Sequence, residues 1–232
     1  MRPRLTETAR TASAVLSRAS DLPEGSPWEG FNDSNQVVGI RTIDIGVPGQ
    51  DGPSRAFIWD RDNGYADIVP VTHFPGTYQE SEPNAINNHG QVVGRAFFDG
   101  PLDPWGFVTP VGRAFLWTRE GGIRNLGTLN LEPDPRLTQS WAYDINNTGT
   151  VVGYSDGRPF IWDEADGMRD LNSLLPPDSN WMLKTATAIN DQGDIIGVGD
   201  YSGPDALGGL ETRPFLMKRA LRPANLCARH WW

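Results

Sequence analysis

The sequence contains almost no cysteine and no long apolar segment. Cys227 is the only cysteine in 232 residues, so no disulfide can form within the chain and cysteine gives no evidence for an oxidising compartment. No apolar run approaches the roughly 20 residues of a membrane-spanning helix. Residues 11–16 are too short and too polar for the apolar core of a secretory signal, so no signal peptide is visible and no membrane span is expected.

Positive charge is also scarce. Lys and Arg number 20 against 29 Asp and Glu, which gives a formal net charge of −9 at pH 7. Nucleic acids and anionic membrane surfaces attract basic proteins, so this balance disfavours both as partners.

The sequence shows none of the familiar catalytic motifs. The three histidines lack metal-ligand spacing, and neither Gly-x-Ser-x-Gly nor a phosphate-binding glycine loop is present. We therefore expect no catalytic residue, no metal and no cofactor. Because acidic residues are plentiful, a glycan-active hydrolase or lyase with carboxylates at a channel mouth stays open as an alternative.

A repeated phrase dominates what is present. Asn, two residues, a turn residue and a short β-type run ending in Gly begin at Asn32, Asn87, Asn146 and Asn190. An internal repeat of this period indicates a stacked or radial architecture. The turn resembles a type I turn followed by a left-handed residue, which predicts positive φ at four positions: Gly90, Gly149, Gly193 and Asn35.

Each phrase belongs to a unit of four predicted strands, here named A to D. The phrase joins strands A and B, and C strands follow at residues 55–59, 113–117, 158–162 and 213–217. D strands are expected at residues 65–71, 123–129 and 168–175. The units span about residues 28–71, 83–129, 141–175 and 186–218, within a domain of residues 15–218 between a flexible segment (1–14) and a tail (219–232).

Repeated four-stranded units predict an all-β fold, a β-propeller of antiparallel blades. The fourth unit has no D strand after its C strand, and residues 15–22 resemble the missing element. We expect this N-terminal strand to complete the last blade and close a ring of four. The alternative is a fragment of a larger ring.

Two groups of residues resemble functional sites, but their recurrence in the repeat is better explained by structural roles. Asp60–Gly64 resembles the start of a calcium loop, yet the aligned segments share turn character and not ligands, so we expect a C–D hairpin. Six of the nine tryptophans recur at two repeat positions and are expected to pack between blades: Trp28, Trp59, Trp117, Trp141, Trp162 and Trp181.

Strand order predicts which face binds a ligand. The B–C connections, residues 40–54, 95–112, 154–157 and 198–212, lie on one face and hold the length variation, as binding loops of repeat proteins do. They carry eight acids and two bases, which favours a cation or a basic partner. The candidate ligand-binding residues are Asp99, Asp103, Trp105, Tyr201 and Asp205. A carbohydrate-like group or a protein partner is expected there, and a purely structural surface repeat is a further alternative.

The combined pattern resembles a known family. Ala-x-x-Ile-Asn-x-x-Gly-x-Val-Val-Gly, then Ala114–Trp117 and Asn125–Leu129, is similar to the HAF repeat family over about residues 28–218. The resemblance implies a propeller-like fold in an extracellular or cell-surface setting, and it brings no established catalytic residues. The family's name-giving His is replaced here by arginine in all four copies: Arg55, Arg113, Arg158 and Arg213.

Overall fold

A computed structural model describes residues 27–44, 46, 52–69, 80–129, 134, 136, 138–206 and 209–219. Fifteen strands in these residues form four antiparallel sheets. The first sheet contains β1 (Trp28–Phe31), β2 (Val37–Thr42), β3 (Ser54–Asp60) and β4 (Gly64–Ile68). The second contains β5 (Ser81–Ile86), β6 (Val92–Leu102), β7 (Val108–Thr118) and β8 (Gly122–Asn125).

The third sheet contains β9 (Ser140–Ile145), β10 (Val151–Ser155), β11 (Arg158–Asp163) and β12 (Gly167–Asp170), and the described fourth sheet contains β13 (Trp181–Ile189), β14 (Ile195–Tyr201) and β15 (Glu211–Met217). Strand order follows chain order in every sheet. The all-β prediction is therefore confirmed, with one sheet per repeat. In such a meander the first and third turns lie at one end of the sheet, and the second connection lies at the other.

The predicted turn chemistry is confirmed. Gly90, Gly149 and Gly193 have φ values of 72°, 80° and 83°, and Asn35 has φ 58°. Glycine reaches this region without a Cβ clash, and Asn is among the few other residues that tolerate it. The segment Asp60–Gly64 is a β3–β4 hairpin, as expected, with the Asp60 side chain accepting from the backbone of Asp62 at 3.0 Å.

The hydrophobic core lies between consecutive sheets. Val93 and Leu116 of the second sheet pack with Ala142 and Ile145 of the third. Equivalent clusters join the first sheet to the second and the third to the fourth. Of the six repeated tryptophans expected to pack between blades, Trp59, Trp117 and Trp162 are buried, at 7%, 7% and 3% exposure, whereas Trp28 is 43% exposed.

The glycine that ends each Val-Val-Gly or Ile-Ile-Gly run permits a close backbone approach. A Cβ on Gly94 would overlap the main-chain oxygen of Glu82 and the ring of Phe115. The same overlap exists at Gly197 with Thr185 and Phe215. The register of the first two strands shifts beside these glycines, as at a β-bulge.

Several boundaries differ from the sequence expectation: the second D strand, for example, ends at Asn125, and β14 extends to Tyr201, which was expected in a connection. The third D strand ends at Asp170, because the Asp170 side chain accepts from Asn172 N at 2.8 Å and caps a short 3₁₀ helix, Leu171–Leu174. The fourth unit begins at Trp181 rather than near residue 186. The second connection of the second unit is residues 103–107, because β6 and β7 extend far beyond the predicted strands. The predicted pairing of residues 15–22 lies outside the described residues.

Candidate functional site

The most prominent feature of the face expected to bind a ligand, where the second connection of each sheet lies, is the long hairpin of β6 and β7. Each strand has 11 residues, whereas β10 and β11 of the third sheet have 5 and 6. The two strands pair from Val92 with Trp117 out to Leu102 with Val108. The hairpin therefore carries its turn away from the core, which lies at its base around Val92 and Trp117.

Asp103 organises the turn at the end of this hairpin. Its Oδ1 accepts from the backbone nitrogens of Trp105 at 2.9 Å and Phe107 at 2.8 Å. Asp103 N donates to the Phe107 oxygen, and Gly106 N donates to the Asp103 oxygen. One carboxylate oxygen thus has a structural role, since it holds two backbone donors that the strands do not use.

This turn copies the chemistry of the repeated asparagine turns. Asn87 Oδ1 likewise accepts from the residues two and four positions later, His89 and Gln91, both at 3.0 Å. Trp105 occupies the position that His89 occupies in the asparagine turn. An aspartate turn of the same geometry therefore places a tryptophan at the outermost position of the hairpin.

The turn exposes three large apolar side chains, which we call the apolar tip: Leu102, Trp105 and Phe107. Their exposures are 63%, 80% and 70%. Scattered exposed apolar residues are ordinary, but three such side chains within six consecutive residues concentrate apolar surface at one turn, and exposed apolar surface of this kind marks interaction sites. Sequence reasoning identified Trp105 but missed its two neighbours, although apolar residues flanking Asp-Pro-Trp-Gly are visible in the sequence.

Asp99, the remaining candidate on this hairpin, lies on β6 opposite Pro110 and is half-buried. Asp103 is half-buried as well. The structure therefore brings Asp99, Asp103 and Trp105 onto one hairpin, with only the tryptophan strongly exposed.

Tyr201 and Asp205 belong to a second group, on the fourth sheet. Arg213 Nη1 lies 2.8 Å from Asp205 Oδ2, and the guanidinium lies 4.7 Å from the centre of the Tyr201 ring. Glu211 pairs with the same arginine at 2.7 Å. Hydrogen bonds from Arg213 and then from Tyr201 hold the pKa of Asp205 below its usual value. The Asp205 carboxylate is thus already matched by a cation of its own sheet.

The sequence analysis missed Arg213 as the centre of this group. Arg213 stands at the repeat position where the resembling family has histidine, and the equivalent Arg113 behaves differently. Arg113 is only 6% exposed and donates from Nη2 to Thr138 Oγ1 at 2.8 Å. Arginine thus recurs at this repeat position, but the residues that it pairs with differ between the copies. Only the surrounding structure distinguishes Arg113 from Arg213.

A cleft of about 360 Å³ lies between the third and fourth sheets, with a lining that includes Asp163, Arg169, Leu171, Met217 and Arg219. Its charged groups are already paired in part, since Arg169 Nη2 lies 2.7 Å from Asp163 Oδ2. Thr150 and Gly193, in the first turns of the third and fourth sheets, also line the cleft, so it lies at the end of these sheets opposite their second connections.

One carboxylate, that of Asp144, is half-buried and bonded across the same two sheets. Burial raises the pKa of Asp144, and hydrogen bonds from the backbone nitrogens of Ile189 at 2.8 Å and Ile145 at 2.9 Å only partly oppose it. The Asp144 side chain therefore connects β9 to β13. In the described ranges, no cluster of three or more His, Cys, Asp or Glu is arranged to hold a metal ion. None of the described helices has the length and apolar character needed to cross a membrane.

Comparisons of the chain with protein-family models, with curated proteins and with solved structures found no match.

Proposed function

We propose that this chain is a binding module of the HAF-repeat type, in which a β-propeller-like scaffold presents the apolar tip to a partner protein. The single observation that supports this proposal is the exposure of Leu102, Trp105 and Phe107 at the end of an extended hairpin. Exposing these side chains to water has a free-energy cost that a docked partner would remove. An extracellular or cell-surface setting is proposed on the family resemblance alone.

A protein partner fits this tip better than a cation or a sugar does. The tip is a projection, and a projecting tryptophan flanked by further apolar side chains suits a pocket in another protein, where tryptophan is a frequent energetic anchor. A cation would need unpaired carboxylates, whereas Asp205 is paired with Arg213 and Asp103 Oδ1 holds its own turn. Trp105 alone could stack on a sugar, so a carbohydrate is the second candidate.

The scaffold part of the proposal concerns how the last blade is completed. The four sheets act as propeller blades, and residues 15–22 supply the fourth strand of the last blade by pairing with the free side of β15. Three described strands in that sheet, against four in each of the others, support this part.

The proposal is tested by capture on immobilised protein from an extract of the cells that produce the chain. Wild type is compared with Trp105→Ala, Phe107→Ala and the control Leu210→Ala, and a glycan array runs in parallel. Leu210 is a suitable control because it is 66% exposed and lies in the corresponding connection of the fourth sheet. We expect one protein to be captured by wild type and Leu210→Ala but lost with both tip variants. Capture that survives both tip variants contradicts the proposal, and array binding that depends on Trp105 supports the carbohydrate instead.

A further inference from the structure

The last sheet exposes four apolar side chains on one face, and one of them, Ile196, stands at a position that every earlier sheet buries. The trailing face, as we call it, consists of Met182, Ile196, Val198 and Leu216, with exposures of 63%, 48%, 37% and 58%. Ile196 is the second aliphatic residue of the repeated run. Its equivalents in the first three sheets, Val38, Val93 and Val152, are each 0% exposed because the following sheet covers them.

The first sheet exposes apolar side chains on the side that would face a preceding sheet. Phe31 precedes the repeated asparagine and is 78% exposed, whereas its equivalents Ile145 and Ile189 are 5% and 7% exposed. Trp28 pairs with Gly39 as Ala142 pairs with Gly153. Trp28 is 43% exposed, although Ala142 is fully buried against the preceding sheet. Trp28 and Phe31 together form the leading face.

A series of hydrogen bonds between the sheets is also interrupted at both ends. The asparagine of each turn donates from Nδ2 to the main-chain oxygen of the next: Asn32 to Asn87 at 2.8 Å, Asn87 to Asn146 at 3.0 Å, and Asn146 to Asn190 at 3.0 Å. Asn190 is exposed, and within the described residues its Nδ2 has only a 3.5 Å contact with Asp194 of its own turn. The trailing end thus offers a donor, and the main-chain oxygen of Asn32 is the matching acceptor at the leading end.

We infer that the trailing face of one copy docks on the leading face of a second copy, so that chains associate head to tail. The two faces are the two halves of an interface that already occurs three times within the chain. Both are exposed in the same molecule, so the chain does not cover its own trailing face with its own leading face. A strand added at the side of β15 would complete the edge of the last sheet but leave this face uncovered.

Association of this kind is heterologous, and it gives a ring where the rotation closes. Two copies would supply eight sheets, which lies within the usual range of about four to eight blades in propellers. A closed pair is therefore the expected product, and it corresponds to the larger ring that the sequence left open.

The proposed contact between two copies brings two carboxylates together, and this can be tested separately. Inside the chain, Asn147 donates to Asp191 from its backbone nitrogen at 2.8 Å and from Nδ2 at 2.9 Å. At the contact between copies, Asp191 would meet Asp33, and two carboxylates repel each other. Replacing Asp191 by Asn restores the arrangement seen between Asn147 and Asp191, so Asp191→Asn should lower the dissociation constant of the pair several-fold.

The experiment measures mass in solution by sedimentation over a range of concentrations. Wild type should approach twice the 25.6 kDa of one chain. Ile196→Asp and Leu216→Asp remove the trailing face, and Phe31→Asp removes the leading face, so each should remain a single, cooperatively folded chain whose melting temperature does not depend on concentration. Leu102→Asp, in the apolar tip, is the control and should associate as wild type does.

The decisive experiment mixes two variants that each lack a different face. Ile196→Asp retains a leading face and Phe31→Asp retains a trailing face, so a mixture of the two should form a pair although neither variant does so alone. A wild type that stays at the mass of one chain at every concentration overturns the inference. So does a mixture that remains monomeric, or an Asp191→Asn chain that associates more weakly than wild type.

Discussion

Asn87 donates from Nδ2 to the main-chain oxygen of Asn146 at 3.0 Å, although the two residues are 59 positions apart in the chain. The oxygen of the same side chain accepts two backbone nitrogens of its own turn. The repeated asparagine therefore shapes one turn and connects two sheets. Aspartate could not perform both functions, because an ionised carboxylate only accepts hydrogen bonds, whereas the amide presents an acceptor and a donor on separate atoms.

We predict that Asn87→Asp destabilises the fold by about 1–3 kcal/mol, the usual cost of losing a buried hydrogen bond. The aspartate keeps the acceptor but loses the donor, and its carboxylate faces the Asn146 oxygen. The matched control is Asn190→Asp, measured in dilute solution where the chains are not associated, because Asn190 is exposed and no sheet follows it within the described residues. Urea denaturation measures both, and equal losses in the two variants would show that the connection between sheets contributes nothing.

We predict that Gly94→Ala destabilises the fold by about 2 kcal/mol or more, or prevents folding, because overpacked sites force backbone shifts. The new Cβ would overlap the main-chain oxygen of Glu82. Gly30→Ala is the control, since its Cβ would lie 3.5 Å from Val38 Cγ2, an ordinary contact. Thermal melting separates the two, and a Gly94→Ala chain as stable as Gly30→Ala refutes the close approach.

We predict that Asp144→Asn gains stability relative to wild type as the pH rises. Burial raises the pKa of Asp144 above its value of about 3.9 in an unfolded chain. The unfolded state therefore releases this proton first, and wild-type stability falls as the pH rises from the unfolded pKa through the folded one. The asparagine has no such dependence.

The difference between Asp144→Asn and wild type, measured as urea midpoints from acid to neutral pH, isolates this carboxyl from the other acids. It should increase towards neutral pH in favour of the variant and then become constant. A difference that is independent of pH, or one that grows in favour of wild type, contradicts the assignment.

We predict that deleting residues 1–22 lowers the melting temperature substantially, because the deletion would remove the strand that we propose beside β15, residues 15–22. The control is deletion of residues 1–14, which removes only the segment expected to be flexible and should have little effect. Equal melting temperatures for wild type and both deletions would mean that the last sheet keeps three strands.

Much of the fold could be predicted from the sequence because its determinants are local. The Asn-x-x-Gly turns need a left-handed residue, so Gly149 and even the exceptional Asn35 follow from turn chemistry alone. The hairpin at Asp60 and the burial of Trp59 follow from comparison between repeats. Repetition separates turn and packing residues from unique ones without any knowledge of tertiary structure.

What could not be predicted depends on contacts between distant residues. The sequence assigned residues 95–112 to a connection, because the repeated B strand ends at Gly94 and the repeated C strand begins at Arg113, but β6 and β7 pair through most of it. The pairing of Asp205 with Arg213 was equally hidden, since nothing local indicates which acid neutralises a repeated arginine. Trp105 was identified correctly as lacking a repeat position, and its exposure is the feature on which the proposed function depends.

The most direct measurement is the dissociation constant of the captured partner protein for wild type, Trp105→Ala and Leu210→Ala, each at low and high salt. The account predicts that Trp105→Ala weakens binding by about 2 kcal/mol or more, roughly 30-fold. Leu210→Ala should bind as wild type does, and salt should have little effect because the contact is apolar. Binding that is unchanged by Trp105→Ala but falls steeply with salt would contradict the account and assign the contact to the acidic connections instead.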